Sequence, residues 1–335
     1  MVLMISKDKI PAFLDSLIGR GFRVLAPVRT KDGTSFRMIE GGGEANLDYV
    51  NTVYPPKKFF IPDGETLFEY DMKKGGVKKT LKRERRAIFG IRPCDVHGLL
   101  VLDKVFNDKF RDPYYNRKRK DTLIIAVNCS EAGKNCFCQS MGTDKLSGGY
   151  DLLLSDAGNC YVVEGWSKRG KKILGNFFEK KSGKPRLKKL RNRRKFDSRD
   201  IEKRILNVFE SKRWEKVAEN CLSCGACTVA CPTCYCFSVR DEPSFDEESG
   251  ERKRDWSFCM FLEFSRVAGD VIFRRDRTER CKQFVFHKLS YFKEEHGRQL
   301  CVGCGRCVDI CPTGIDFFME TERLVKKADK KVKGK

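Results

Sequence analysis

Two stretches of this chain carry cysteines at a spacing that can do chemistry. Cys221-Leu-Ser-Cys224-Gly-Ala-Cys227-Thr-Val-Ala-Cys231-Pro232 and Cys301-Val-Gly-Cys304-Gly-Arg-Cys307-Val-Asp-Ile-Cys311-Pro312 both read C-x2-C-x2-C-x3-C-P. Three thiolates this close wrap one corner of a cube of iron and sulfide, and the fourth, one helical turn on, reaches a neighbouring cube. The pattern assigns Cys221, Cys224, Cys227 and Cys311 to one [4Fe-4S] cluster, and Cys301, Cys304, Cys307 and Cys231 to a second. Gly225 and Gly305 let the loop backbone approach such a cluster and donate N–H groups to it. Structural zinc prefers two separated C-x-x-C pairs, and disulfides belong to oxidising compartments, so both are weaker readings.

A second group of thiols lies earlier. Ala87–Ile91 reads as a short apolar strand ending in Arg92-Pro93-Cys94-Asp95, with Asp95 placed to cap a helix carrying Val96, Leu99, Leu102 and Phe106. Leu123–Val127 is the next strand and ends at Asn128-Cys129. This is a βαβ pattern with a parallel strand pair, and open α/β sheets bind ligands beyond the carboxyl ends of such strands. Cys136 and Cys138 follow in the next loop. Four thiols at one sheet edge suit zinc or a further cubane cluster equally well, and buried, unligated thiols are the plain alternative.

The remaining elements must position these groups. Ser6 is a candidate cap for a helix with Ile10, Phe13, Leu14, Leu17 and Ile18 on one face, closed by Gly21. Phe22–Val28 is a strand, residues 31–48 are polar and Gly-rich, and prolines stiffen an extended segment over 51–62. Tyr150–Leu154 and Tyr161–Val163 form a hairpin. Lys and Arg dominate 168–195, and a helix from Ile201 to Trp214 delivers the chain to Cys221. The Lys-rich tail after Arg323 reads as a frayed end. The expectation is an α/β domain over 1–196, with a mixed sheet and a βαβ unit, followed by an α+β bacterial-type dicluster ferredoxin domain over 197–335. A helical insertion at about 237–300 separates the two Cys runs.

The chain has 335 residues, enough for two cores, and 17 cysteines with no secretory signal at its start. That combination points to metal binding in a reducing, cytoplasmic setting. Apolar runs are too short to span a membrane. The formal charge is +22; twelve cluster thiolates and three oxidised cubane cores would leave roughly +16. No aromatic-interleaved basic motif marks nucleic-acid binding, so the charge reads as a solvated surface or a face for an acidic partner.

Several longer words recur together in one family: Gly90-Ile-Arg-Pro-Cys94-Asp-Val-His97, Asp112-Pro-Tyr-Tyr-Asn-Arg117, Cys136-Phe-Cys138-Gln-Ser-Met-Gly142 and Cys231-Pro-Thr-Cys-Tyr-Cys-Phe237. Trp256-Ser-Phe-Cys259-Met and Val267-Ala-Gly269 extend the match. The chain resembles the beta subunits of soluble archaeal sulfhydrogenases, which are [NiFe] hydrogenases linked to a nicotinamide-reducing flavoprotein. It is equally similar to the electron-transferring iron–sulfur subunits of anaerobic sulfite reductases. The resemblance spans about residues 45 to 320 and implies an electron-transfer subunit. Its partners would be a flavoprotein subunit plus a catalytic subunit, either a [NiFe] hydrogenase or a sirohaem sulfite reductase. It also implies a third [4Fe-4S] cluster on Cys94, Cys129, Cys136 and Cys138, and no flavin or nucleotide in this chain.

No catalytic constellation is visible. The three histidines, His97, His287 and His296, have no nucleophile beside them in sequence. His97 reads as a helix-capping residue rather than a sulfide donor, while Arg92 and Lys145 are candidates to offset charge at the third group. Cys160, Cys234, Cys236, Cys259 and Cys281 are spare; Cys234 and Cys236 fall close enough to Cys231 to pack against the second cluster. The alternative to an electron conduit is a stand-alone reductase of disulfides or sulfur at the N-terminal thiols.

Overall fold

The structure, a computed structural model, describes residues 1–183 and 185–333. An eight-stranded mixed sheet organises the first half. In chain order its strands are β1 (Val2–Ser6), β2 (Arg23–Thr30), β3 (Gly33–Ile39), β6 (Arg86–Ile91), β7 (Thr122–Val127), β8 (Leu152–Asp156), β9 (Cys160–Trp166) and β10 (Glu179–Lys181). Spatially they run β10-β1-β9-β8-β7-β6-β2-β3. The inner pairs β2–β6, β6–β7 and β7–β8 are parallel, and the outer pairs are antiparallel.

Parallel strands covered on both faces read as unbroken apolar runs, which is how β6 and β7 appear in sequence. Ala87 and Phe89 pack with helix α1 (Ile10–Gly19) on one face. Ile88 and Ile91 pack with Leu99, Leu102 and Tyr115 on the other, from helices α2 (Pro93–Val105) and α3 (Pro113–Asp121). Each fully buried Ile or Phe contributes about 1.5–3 kcal/mol, so the sheet is a stiff frame. At Gly90, with φ +85°, the β6 register shifts against β7, and Tyr49 donates to the Gly90 carbonyl.

The region between the two Cys runs differs from the expected helical insertion. It opens with a hairpin, β11 (Phe237–Pro243) and β12 (Ser249–Trp256), and becomes regularly helical only at Arg277–Phe286. The hairpin completes a second, antiparallel sheet with β4 (Glu65–Asp71) and β5 (Gly76–Lys79), in the order β11-β12-β4-β5. Arg254 on β12, 1% exposed, secures the junction through ion pairs to Glu65 and Asp112. Arg, Lys and Glu on β12 conceal a strand pattern, because one of its two partner strands, β4, lies far away in sequence.

Smaller differences have local causes. The polar stretch 31–48 contains β3, whose pairing to β2 needs no apolar outer face. Within 51–62, Pro56–Phe59 is a 3-10 turn that buries Lys57. The expected single helix before Cys221 is broken into a one-turn helix at Ile201–Arg204, a 3-10 turn at Leu206–Val208 and a helix at Arg213–Ala218. Ser6 bonds Asp8, leaving α1 without a side-chain cap. The Lys-rich tail is helical over Phe317–Lys333, because Leu324 and Val325 bury against the second-half core. No helix among the described residues is long and apolar enough to cross a membrane.

Candidate metal centre

The two Cys runs fold alike. Gly225 and Gly305, at φ +72° and +78°, start the short helices Ala226–Val229 and Arg306–Asp309. Those helices carry Cys227 and Cys307 and pack against each other. In each run an amide two residues on donates to the first thiol: Ser223 N to Cys221 Sγ and Gly303 N to Cys301 Sγ, both 3.4 Å. The threonine after each Cys-Pro meets the fourth thiol, Thr233 Oγ1 at 3.2 Å from Cys231 Sγ and Thr313 Oγ1 at 3.5 Å from Cys311 Sγ. Amide and hydroxyl donors at sulfur are the groups that tune sulfur-ligated iron.

Cys221, Cys224, Cys227 and Cys311 line one small pocket, together with Met260, Pro312 and Phe317. Of these four thiols only Cys224 is exposed outright. Cys301, Cys304 and Cys231 lie around Cys307, where burial first and then these three neighbours push its thiol up. Burial likewise raises Cys301 to about 12 and Cys304 to about 11. Thiols held protonated this way release protons when they bind metal.

The third group sits against the second run. Cys94 lies in the first turn of α2, and Cys129 lies just beyond β7, at the carboxyl ends of adjacent parallel strands. The loop bearing Cys136 and Cys138 docks on residues 301–305. Phe137 N donates to Gly303 O at 2.8 Å, Cys136 Sγ to Cys304 O at 3.4 Å, and Thr143 Oγ1 to Val302 O at 2.6 Å. A Cβ on Gly303 would lie 2.8 Å from the Phe137 carbonyl, so only glycine permits the approach. Burial, followed by Cys304, Cys138 and Cys129, pushes Cys136 up to about 12. Cys94 packs with Cys304 and Val302.

All-sulfur donor sets around a shared cavity fit an iron–sulfur cluster, in which each thiolate binds its own iron. Among the described residues no three His, Cys, Asp or Glu side chains converge tightly enough for a single metal ion.

Comparison with known proteins agrees with this donor chemistry. Residues 220–315 match the 4Fe-4S dicluster domain family. The chain is 35% identical over 326 residues to sulfhydrogenase 2 subunit beta of Pyrococcus furiosus, covering 92% of this chain and 94% of that protein. The chain belongs to the sulfhydrogenase beta-subunit family. It is also 25% identical over 259 residues to the F420-dependent formate dehydrogenase subunit beta of Methanocaldococcus jannaschii, covering 70% of this chain and 57% of that one. No solved structure matches significantly.

In this sulfhydrogenase beta-type chain, several residues have roles the linear reading missed. Asp95 is not a helix cap. It is the third residue of α2, in its first turn, and pairs bidentately with Arg306, at 2.6 and 2.8 Å, with both residues buried. Arg306 also donates to Thr52 O and Oγ1. His97 does not cap either; its Nε2 meets the Lys145 carbonyl at 2.8 Å, and burial lowers its pKa. The Lys145 side chain is exposed. Arg92 is buried and donates to the carbonyls of Val127, Asn128 and Tyr49 beside Cys129. Burial opposes its charge, but Tyr49 and Cys129 outweigh that and hold its pKa above the ordinary value.

Lys57 and Lys288 are buried beside the Cys231 turn. A lysine among Phe284-Val-Phe-His-Lys288-Leu was a readable signal, since it interrupts a core-facing run; nothing distinguishes Lys57 from Lys58. Among the spare thiols, Cys281 lies against Cys221 and pulls it down to about 6, while Cys160 Sγ on β9 lies 3.8 Å from Met4 Sδ.

Proposed function

We propose that this chain is the iron–sulfur electron-transfer subunit of a hydrogenase-type complex, relaying single electrons between flavoprotein and catalytic subunits. The observation that carries this reading is the order of thiol groups. The Cys136–Cys138 loop rests on the Cys301–Cys304 loop, the helices of the two runs touch, and the series ends at exposed Cys224. When bound, cubane clusters supply reversible one-electron chemistry.

Cys221, Cys224, Cys227 and Cys311 would hold one cluster, and Cys301, Cys304, Cys307 and Cys231 the second. Cys94, Cys129, Cys136 and Cys138 would hold a third, with Arg92 offsetting its charge. Burial of most of these thiols excludes water, and the sulfur-directed amides and hydroxyls hold ligand geometry between oxidation states. The domain division at about 196 follows the same logic, with the α/β frame holding the third group and the ferredoxin part holding the other two.

The chain purified anaerobically should contain about twelve iron and twelve sulfide, four of each per cubane. About eight of each with one zinc would remove the third cluster. Cys304→Ser should lose the second cluster while residues 1–196 stay folded; unchanged iron and EPR spectra would overturn that ligand set. Co-purification of a [NiFe] large subunit with a flavoprotein supports the hydrogenase reading, and a sirohaem subunit replaces it with sulfite reduction. The 25% identity to a formate dehydrogenase subunit beta favours testing for that catalytic chain as well.

A further inference from the structure

Two ammonium groups are buried where an uncharged core would be cheaper. Lys57 and Lys288 are each 2% exposed. Lys57 Nζ donates to Thr228 O at 3.1 Å and Cys234 O at 3.0 Å, and lies 4.7 Å from the ring centres of both Trp256 and Phe258. Lys288 Nζ meets Thr233 Oγ1 and Cys234 Sγ, both at 3.2 Å. Thr233 Oγ1 in turn lies 3.2 Å from Cys231 Sγ. Neither lysine pairs with a carboxylate among the described residues. A buried ammonium either gives up its proton or is held by negative charge beside it, and the Cys231 thiol and its neighbours supply such charge once they are deprotonated to bind metal.

The two cations grip one turn from different sides. Lys57 binds the Cys234 carbonyl, and Lys288 binds its thiol. Lys288 also lies in a π-helical turn, His287–Tyr291, and its carbonyl accepts from Leu300 N and Cys301 N at 3.1 and 3.2 Å. One residue thus touches both the Cys231 turn and the start of the second run. Single π turns inside helices are frequent at functional sites. The other buried cation nearby, Arg306, is neutralised by Asp95.

We propose that Lys57 and Lys288 set the reduction potential of the cluster held by Cys231, Cys301, Cys304 and Cys307. This rests on the electron-transfer reading above. Reduction adds negative charge, and fixed, uncompensated cations in a low-dielectric pocket stabilise the reduced form. They therefore raise the potential of this group and make it the place where an electron rests between the other two. Cys234 has a role within this arrangement: its thiol and carbonyl are the points that hold the two ammonium groups beside Cys231.

The test is an anaerobic, EPR-monitored redox titration of the full chain, with iron and sulfide counted in each variant. In K288M and K57M the iron content should stay at the parent level. One midpoint should fall by a tenfold or larger change in the reduction equilibrium, which is about 59 mV for a one-electron couple. K288R, which keeps the charge, should hold that midpoint close to the parent. Unmoved midpoints with intact iron overturn the proposal. If K288M loses iron, K57M carries the test, because the Lys57 ammonium hydrogen-bonds only backbone carbonyls and no thiol. Loss of iron in both variants would make the lysines parts of the binding framework and also overturn it. The broader reading fails separately, if the parent chain itself has no cluster that depends on Cys304.

Discussion

Removing Asp95 from its pair with Arg306 should be among the most damaging single changes outside the cysteines. The two side chains form a bidentate ion pair at 2.6 and 2.8 Å, and both are almost completely buried. Asp95→Leu would leave the guanidinium in a dry site with only Thr52 O and Oγ1 as partners. Breaking one side of a buried pair costs about 3–5 kcal/mol. For 335 residues the unfolding entropy is about 0.7 kcal/mol/K, so the unfolding midpoint should fall by about 4–7 °C. The pair also ties α2, which carries Cys94, to the helix that carries Cys307, so loosening it should expose both thiol groups. The assay is anaerobic unfolding at a fixed scan rate, followed by far-ultraviolet circular dichroism and by cluster absorbance. Asp95→Leu combined with Arg306→Met removes both charges and should recover stability over either single change. A single variant within about 1 kcal/mol of the parent, or a double variant no more stable than the singles, would refute the reasoning.

Three further outcomes follow from the same geometry. Burial pushes His287 down from 6.5 to about 4, with Lys288 adding to the shift. Between those values the unfolded chain binds the extra proton, so stability is full above pH 6.5 and declines by about 3 kcal/mol towards pH 4. His287→Gln should abolish that slope in pH-dependent denaturation, and a slope left unaltered would count against it. Gly303→Ala places a methyl 2.8 Å from Phe137 backbone atoms at φ +63°. It should lower the melting midpoint and release iron, whereas Gly297→Ala, at φ +71° with open space around it, should cost only about 1–2 kcal/mol. Equal effects would mean that the docking of the 136–138 loop on the second run carries no stability. Cys160→Ala should leave iron and sulfide unchanged, and any loss would bring this thiol into the ligand accounting.

The cluster-binding runs could be read directly because their information is local. Each loop's geometry is set by four cysteines, a glycine with positive φ and a Cys-Pro-Thr ending, all within thirteen residues. The βαβ unit was legible for a similar reason: β6 and β7 are apolar on both faces, and short connections leave few alternatives for the strands between them. Cys94 and Cys129 could then be placed at one sheet edge from the topology alone.

What tertiary structure alone decided is everything that depends on partners far apart in the chain. The hairpin β11–β12 looks charged and irregular in sequence, and becomes a strand pair because β4, more than a hundred and seventy residues earlier, offers it an edge. Asp95 has the sequence position of a capping residue. It is diverted inward because Arg306, arriving 211 residues later, supplies a stronger charge partner than a helix N-terminus does. Lys57 and Lys58 are indistinguishable as letters, yet only Lys57 is enclosed, by Trp256, Phe258 and the Cys234 carbonyl. Thiol spacing along the chain singles out which cysteines belong together; burial and opposing charge, which exist only after folding, determine the surroundings in which they act.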